Sequence, residues 1–191
     1  MQPIQMVDLQ SQYRQLKKEL DARVIGCIES GAHIQGPEVK SFEADLGKYL
    51  DDAHVIACAN GTDALQIALM ALELDPGDEV IVPSFTFVAS VEVIALLGLK
   101  PIVVDVDPRS FLLKIEDIEA SLSPRTKAII PVHLFGQCVN MKALMAIAKN
   151  RDLFVIEDNA QSIGARCIAT GDAKEMSGTI GHIGCTSFYP S

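Results

Sequence analysis

Positive charge is scarce in this chain of 191 residues, which has 16 Lys and Arg against 25 Asp and Glu and a net charge of −9. A nucleic acid backbone is repelled by such an average field unless the basic residues form a local patch. The longest basic cluster is Lys17-Lys18, and the other basic side chains are scattered among acids. We therefore expect no nucleic acid partner.

The sequence also lacks a long uncharged apolar run and a basic leader followed by an apolar segment. Hydrophobic residues make up 49% of the chain and are interrupted by 21% charged residues. This composition is too apolar for a disordered segment and too charged for a membrane protein. The first residues, Met1-Gln2-Pro3-Ile4-Gln5-Met6, show no secretory signal. We expect a globular, cytoplasmic protein with a substantial core and no membrane partner.

Cysteine pairs with the spacing of metal ligands are missing. The cysteines lie at positions 27, 58, 138, 167 and 185, an odd number without a C-x-x-C pair. This pattern argues against a disulfide framework and against a structural zinc site. We expect free thiols and no metal, with Cys58 and Cys185 acting as small hydrophobic residues inside apolar strands.

From residue 54 onward, short apolar runs alternate with longer segments of helical spacing. The runs lie at residues 54–58, 80–82, 102–104, 128–132, 154–156 and 185–189. The spacing between them leaves room for a crossover helix each time, and continuous apolar strands are typical of burial on both faces. The pattern predicts an α/β fold with a mostly parallel sheet flanked by helices.

Apolar spacing and terminating residues predict helices between and before these strands. The predicted helices are residues 9–30, a helix that begins at Gly36-Pro37-Glu38, and residues 63–74, 88–97 and 141–149. The segment from Ala169 to Gly184 is rich in Gly, Ser, Thr and charge and is predicted to be a loop.

Ligands of open α/β sheets bind beyond the carboxyl ends of the strands, so the residues after each run are candidates for a site. Asn60-Gly61-Thr62-Asp63 follows the first run and opens a helix. A glycine turn, a hydroxyl and helix N-terminal N–H groups suit a phosphate. Alternatively, Thr62 or Asp63 only caps the helix. Neither a P-loop nor a dinucleotide fingerprint is present.

Two aromatic residues, Phe85 and Phe87, follow the second run in a chain with only 5% aromatic residues. One ring could stack on a flat ligand, or both rings could fill the core.

Carboxylates follow the fifth run, in Glu157-Asp158-Asn159-Ala160-Gln161. A carboxylate directly after Phe154-Val155-Ile156 is partly desolvated and needs a cationic or N–H partner. Asp158 could bind a protonated ring nitrogen, a ribose or a metal, or it could cap a turn. Ser187, in the last run, offers a hydroxyl or plain turn chemistry. His133, after the fourth run, is more typical of a structural histidine.

Eight short blocks occur in an order found in one protein family. The blocks are residues 36–39, 60–65, 76–80, 83–90, 105–108, 131–137, 157–162 and 187–191. Together they resemble the pyridoxal-phosphate (PLP)-dependent sugar aminotransferases of the DegT/DnrJ/EryC1/StrS type, which have the fold type I architecture of aspartate aminotransferase. The resemblance covers essentially the whole chain. It departs from the family at Ile168 to Thr179, which is longer and more polar, and at His182, where the family has an acidic residue.

The resemblance implies PLP as cofactor and a role for each matching position. Gly61, Thr62 and Ser187 would hold the phosphate, Phe87 would stack on the ring, Asp158 would pair with the ring nitrogen and Gln161 would contact the ring hydroxyl. The Schiff-base lysine of the family is expected directly after Ser191, outside the sequence. Residues 1–35 would form an N-terminal arm, and residues 36–191 the N-terminal part of the large PLP-binding domain.

The resemblance also implies an activity, the transfer of an amino group from glutamate to a keto-sugar of a nucleotide-sugar. A UDP-linked 3-keto sugar used in polysaccharide biosynthesis is the nearest match, and the active form would be a homodimer with sites at its interface. Two alternatives stay open. One is a PLP-fold dehydratase or regulatory protein; the other is a non-enzymatic nucleotide-binding module, in which Asn60-Gly61-Thr62 holds a phosphate and Asp158 a ribose.

Overall fold

A computed structural model of the chain describes residues 7–168 and 174–190. These residues divide into two compact units. The first comprises residues 7–57 together with 189–190, and the second comprises residues 58–188.

The first unit contains two helices, α1 (Leu9–Ser30) and α2 (Pro37–Tyr49). The Asp8 side chain caps α1 by accepting a hydrogen bond from the Ser11 N–H at 2.9 Å. Gly31 ends α1 in the left-handed conformation, with φ 67°, which a glycine adopts without steric cost. Pro37 occupies the first turn of α2, where its missing N–H costs nothing. Both predicted N-terminal helices are confirmed.

The second unit alternates strands and helices. In chain order it contains α3 (Gly61–Ala71), β1 (Glu79–Pro83), α4 (Ala89–Leu96), β2 (Lys100–Val104), α5 (Ile115–Ser121), β3 (Thr126–Ile129), a 3-10 turn (Leu134–Gly136), α6 (Met141–Arg151), β4 (Phe154–Asp158), β5 (Arg166–Ile168), β6 (Lys174–Met176) and β7 (Ile183–Cys185). Across the described ranges, no helix is both long and apolar enough to cross a membrane.

Five strands form one sheet in the order β2-β1-β3-β4-β7, and all four pairings are parallel. Strands β5 and β6 form a separate antiparallel hairpin. Consecutive strand residues face opposite sides of the sheet. Val80 accordingly packs with α3 and α4, whereas Ile81 packs with α5 and α6. The predicted α/β fold, a mostly parallel sheet flanked by helices, is confirmed.

The prediction of a strand at residues 54–58 is wrong. This segment has no regular secondary structure, and the Ile56 side chain is 76% exposed. The Ala57 N–H donates to Oε1 of Glu43 in α2, at 2.8 Å, so its hydrogen bond goes to a side chain rather than to a neighbouring strand. Cys58 is accordingly exposed and does not act as a core residue.

The expectation of five free thiols is also wrong, because Cys138 and Cys167 form a disulfide with a Cα–Cα distance of 5.5 Å. It joins the segment before α6 to strand β5. The remaining cysteines, Cys27, Cys58 and Cys185, are free, and only Cys185 is buried.

The predicted loop at residues 169–184 contains regular structure. Strand β6 and the start of β7 lie within it, whereas residues 169–173 are outside the described ranges. Cys167 and Glu175 pair across β5 and β6. The polar composition of the segment did not indicate this pairing.

Candidate active site

The predicted site residues lie at the carboxyl ends of the parallel strands and at one helix N-terminus. Phe87 follows β1, Asp158 ends β4, Ser187 follows β7, and Gly61 begins α3. The edge of the sheet that usually binds ligands in open α/β folds therefore carries the candidate site.

The N-terminus of α3 is capped by Asn60, whose side-chain oxygen accepts a hydrogen bond from the Asp63 N–H at 2.9 Å. The alternative in which Thr62 or Asp63 caps the helix is therefore wrong. The N–H groups of Gly61 and Thr62 have no hydrogen-bond partner among the described residues. Backbone N–H groups at a helix N-terminus favour an anion.

Ser187 lies directly against this helix terminus. A Cβ atom at Gly61 would be 2.8 Å from Cβ of Ser187 and 3.2 Å from its hydroxyl oxygen. Both distances are shorter than ordinary contacts, so the position accepts glycine because Ser187 occupies the space. The N-terminal N–H groups of α3 and the Ser187 hydroxyl thus lie together.

Asp158 is 5% exposed and its backbone is fixed on both sides. Its N–H donates to the Pro131 carbonyl at 2.9 Å, and its carbonyl accepts from the His133 N–H at 3.0 Å. In the side chain, Oδ2 accepts from the Ser90 hydroxyl at 2.7 Å and Oδ1 accepts from the Ala160 N–H at 3.2 Å. The second bond forms a local turn, so the capping role considered for this aspartate is also present.

Burial raises the pKa of Asp158, against the opposing effect of the Ser90 and Ala160 hydrogen bonds. A desolvated carboxylate is costly to ionise, and a nearby cation lowers that cost. The position therefore suits a ligand that brings a positive charge to the end of β4.

Asn159 joins β4 to the segment that carries Ser187. Its N–H donates to the Cys185 carbonyl at 2.8 Å, and its side-chain amide donates to the Thr186 hydroxyl at 3.2 Å. These two bonds fix the segment just before Ser187 beside the end of β4, where Asp158 lies. The amide oxygen of Asn159 is buried and has no partner within the described ranges.

Gln161 is oriented by the loop that follows β3. Its side-chain oxygen accepts a hydrogen bond from the Phe135 N–H at 3.0 Å. With the oxygen engaged, the NH₂ group of the amide is the part that can donate to a ligand oxygen.

Phe87 is 71% exposed and Phe85 is 48% exposed, so the prediction that both rings fill the core is wrong. The Ser90 N–H donates to the Phe87 carbonyl at 3.2 Å, which places Phe87 one turn before the residue that contacts Asp158. A ring this exposed is available for stacking on a flat ligand.

The sequence only partly indicates two polar residues beside the site. The first is Ser90, which was noted only as part of a sequence block. The second is Glu157, a buried carboxylate that accepts hydrogen bonds from His133 and from the N–H groups of Gly178, Ile180 and Gly181. Its position directly after an apolar strand indicated a need for N–H partners, but not which ones.

His133 is fully buried and structural, as its position indicated. Its Nδ1 atom accepts a hydrogen bond from the Val139 N–H at 3.2 Å, so Nε2 carries the proton and donates to Glu157 at 2.8 Å. His182 acts similarly, since its Nδ1 atom accepts from the Val155 N–H at 2.9 Å.

The candidate site thus offers hydrogen-bond donors at Gly61 and Ser187, an exposed ring at Phe87 and a buried carboxylate at Asp158. Among the described residues, no group of three or more His, Cys, Asp or Glu side chains is arranged to hold a metal ion. The fold is that of the PLP-dependent aminotransferases, since solved structures similar to it include an aminotransferase and a protein with bound pyridoxamine phosphate.

The chain belongs to the DegT/DnrJ/EryC1/StrS aminotransferase family, whose model matches residues 14–191. The family is PLP-dependent, and one similar structure, from Bacillus subtilis, contains bound pyridoxamine phosphate (PMP). The resemblance found in the sequence is therefore confirmed.

Individual relatives are similar over almost the whole chain. It is 47% identical to a UDP-2-acetamido-2-deoxy-3-oxo-D-glucuronate aminotransferase of Pseudomonas aeruginosa, covering 98% of this chain and 51% of that protein. It is 44% identical to a pleiotropic regulatory protein of Geobacillus stearothermophilus, covering 98% and 49%. An aminotransferase structure from Brucella abortus superposes with a TM-score of 0.90 at 45% identity, covering 98% and 51%. The chain thus spans about half the length of the relatives it matches.

Proposed function

We propose that the full-length protein is a PLP-dependent aminotransferase that transfers an amino group to the keto group of a nucleotide-linked sugar. The observation that carries this proposal is the placement of a buried aspartate, Asp158, on the same sheet edge as the Gly61 and Ser187 pocket in a chain of this family. In a nucleotide-binding module Asp158 would hold a neutral ribose, whereas a desolvated carboxylate whose pKa is raised is better matched to a cation.

Gly61, Thr62 and Ser187 would hold the cofactor phosphate. The two helix N–H groups and the serine hydroxyl are hydrogen-bond donors, and the partial positive charge of the α3 N-terminus adds to the attraction. Because Asn60 satisfies the Asp63 N–H, the helix keeps its cap while the first two N–H groups serve the ligand.

Asp158, Phe87 and Gln161 would act on the cofactor ring. Bound PLP supplies an electron sink for the negative charge that forms on a substrate carbon, and it does so best with its ring nitrogen protonated. Asp158 would keep that proton on the nitrogen, and the Gln161 NH₂ group would donate to the ring hydroxyl. Phe87 would cover one face of the ring and exclude water from it.

The substrate is proposed from the relatives. The Pseudomonas aeruginosa relative is named for a UDP-linked 3-oxo sugar uronate, and we infer a similar 3-keto nucleotide-sugar for this protein. Glutamate is the proposed amino donor, and the proposed active form is a cytoplasmic homodimer with sites at the subunit interface, acting in polysaccharide biosynthesis. The arm of residues 1–35 and the domain of residues 36–191 remain part of this proposal.

The test uses the purified full-length protein loaded with PLP. Glutamate alone should abolish the visible absorbance of bound PLP, and addition of a UDP-linked 3-keto sugar should restore it and yield an amino sugar of the mass expected by mass spectrometry. Asp158→Asn should lower the rate by at least about a hundredfold, since it removes the charge at the ring nitrogen. A colourless protein that takes up no PLP would contradict the proposal.

A regulatory protein is the second candidate, because one relative with 44% identity carries that name. The same experiment separates the two. A regulatory protein of this fold would bind PLP without responding to glutamate, whereas the proposed enzyme responds to glutamate before any sugar is added. A dehydratase would release water from the sugar instead of introducing nitrogen, which changes the product mass.

A further inference from the structure

Ser90 is a fully buried polar residue in the first turn of α4. Its hydroxyl oxygen lies 2.7 Å from Oδ2 of Asp158 and 2.9 Å from the hydroxyl oxygen of Thr86. The contact with Asp158 joins positions 68 residues apart in the sequence. Burying a hydroxyl costs free energy of desolvation unless it forms hydrogen bonds, and both partners here offset that cost.

The hydrogen bonds around Ser90 have a direction. A serine hydroxyl carries a single proton, and the ionised carboxylate of Asp158 can only accept. Ser90 therefore donates to Asp158, and Thr86 donates to Ser90. The two hydroxyls form a chain that ends on one oxygen of the carboxylate.

The second oxygen of Asp158 is fixed separately, by the Ala160 N–H at 3.2 Å. With a donor on each oxygen, the carboxylate cannot rotate about its Cβ–Cγ bond without losing one hydrogen bond. A hydrogen bond between a carboxylate and a protonated ring nitrogen is strongly directional. The orientation of the carboxylate plane therefore decides how well it can pair with such a nitrogen.

We propose that Ser90, supported by Thr86, is a positioning residue that orients the Asp158 carboxylate toward the ring nitrogen of the cofactor. This inference rests on the proposed function. Ser90 touches neither substrate nor cofactor and acts through Asp158. A purely structural role, in which Ser90 only helps α4 pack on the sheet, predicts a different result in the test below.

The test measures binding of two probes to the full-length protein: PMP, which binds without a covalent bond to lysine, and its analogue with a carbon atom in place of the ring nitrogen. Ser90→Ala should weaken PMP binding about tenfold, the effect of one hydrogen bond to a charged group. Binding of the carbon analogue should change by less than about twofold, because it makes no bond to Asp158. Ser90→Thr keeps the hydroxyl and should restore PMP binding.

A matched control is Ser84→Ala, at an exposed serine between β1 and α4 whose hydroxyl contacts Asp105 at 3.2 Å. It should leave the affinity of both probes unchanged. Thr86→Val is a second variant at a half-buried position; it removes the donor to Ser90 and should weaken PMP binding about threefold with no effect on the analogue. This variant tests the hydrogen-bond chain from Thr86 through Ser90 to Asp158 even if Ser90→Ala folds poorly.

Equal weakening of both probes by Ser90→Ala, or no weakening of either, would overturn the positioning role. Failure of the proposed function gives another result, since the wild-type protein would then take up no PLP, or its bound PLP would not respond to glutamate. If the wild-type protein binds both probes with equal affinity, Asp158 does not pair with the ring nitrogen and the inference about Ser90 fails with it.

Discussion

Glu157 and His133 form a pair that is fully buried, with Nε2 of the imidazole 2.8 Å from Oε2 of the carboxylate. The same carboxylate accepts the N–H of Gly178 at 2.9 Å and the N–H of Ile180 at 2.7 Å. Burial by itself raises the pKa of Glu157, but the hydrogen bonds from His133 and the backbone outweigh it and hold the pKa below its ordinary value. Glu157 thus fixes the turn that leads into β7.

We predict that Glu157→Gln lowers the free energy of unfolding by about 3 kcal/mol, because the amide turns an NH₂ group toward N–H donors and leaves some of them unpaired in the interior. Urea denaturation at neutral pH measures this change. Glu119→Gln, at an exposed position of α5, should stay within about 0.5 kcal/mol of the wild type. Equal effects from the two variants would contradict the role given to Glu157.

Gly61→Ala should reduce the affinity for PMP at least about tenfold, because the added Cβ would lie 2.8 Å from Cβ of Ser187 and push it from the phosphate pocket. Isothermal titration calorimetry with PMP measures the loss. The matched control is Gly26→Ala in α1, where nothing lies within 4 Å of the new Cβ. That variant should bind PMP normally. Its free energy of unfolding should rise by about 0.5–1 kcal/mol, which shifts the urea midpoint slightly upward.

Phe87→Ala should weaken PMP binding by about 1 kcal/mol, the usual contribution of one ring stack, with little loss of stability. The small stability effect follows from the 71% exposure of the side chain. Phe87→Tyr keeps a ring and should retain the affinity. A fall in the urea midpoint of Phe87→Ala as large as that of a core variant would indicate that the ring packs in the core.

The cysteines should differ in reactivity. In the native protein without reductant, exposed Cys58 should react with iodoacetamide first, whereas Cys185 should be slow because burial raises its pKa to about 12. Mass spectrometry after denaturation should find Cys138 and Cys167 protected. Reduction of this pair should lower the free energy of unfolding by about 3 kcal/mol, since the bond closes a loop of 29 residues. Modification of all five thiols without reductant would contradict the disulfide.

Glu79 should make the stability of the protein depend on acid pH. Its carboxylate accepts hydrogen bonds from Ser123 and from Lys100 and Arg125, and these partners, the Ser123 hydroxyl first, lower its pKa from 4.5 to about 2. A pKa that is lower in the folded state stabilises the protein above the ordinary pKa, and this stabilisation is lost as pH falls from 4.5 toward 2.

Glu79→Gln should therefore lower the urea midpoint at pH 7, and the difference from the wild type should shrink at pH values near 2, where wild-type Glu79 is itself protonated. The measurement is a set of urea denaturation curves across this pH range. A difference that stays constant with pH would show that Glu79 acts through packing rather than through its charge.

Much of the fold could be predicted from the sequence. Continuous apolar runs and apolar residues at helical spacing each indicate, from neighbouring residues alone, which positions are buried. The runs at 80–82, 102–104 and 154–156 lie within strands of the parallel sheet, the run at 128–132 begins in β3, and the run at 185–189 shares only Cys185 with β7. Helix α5 was missed although Ile115 and Ile118 lie at helical spacing, because the helix is only 7 residues long and offers a short pattern. The run at 54–58 failed because apolar composition does not show whether a neighbouring strand is available for pairing.

The site could be predicted only to the level of which strand ends carry polar residues. The rule for open sheets placed Asp158 and Ser187 on one edge, and the capping alternatives could not be decided before Asn60 was seen to cap α3. The bond from Ser90 to Asp158 and the disulfide between Cys138 and Cys167 join positions far apart in sequence. No local pattern encodes such contacts.

Strand β4 carries its two carboxylates at consecutive positions, and a strand sends consecutive side chains to opposite faces. Glu157 turns to the face of α5 and α6 and anchors a turn, whereas Asp158 turns to the face of α3 and α4 and meets Ser90. A one-residue insertion or deletion within β4 would exchange them, with the longer side chain beside Ser90 and the shorter one too far from the turn. Length changes in this region must therefore fall outside residues 154–158. The alternation of side chains along β4 assigns one carboxylate to stability and the next to ligand recognition.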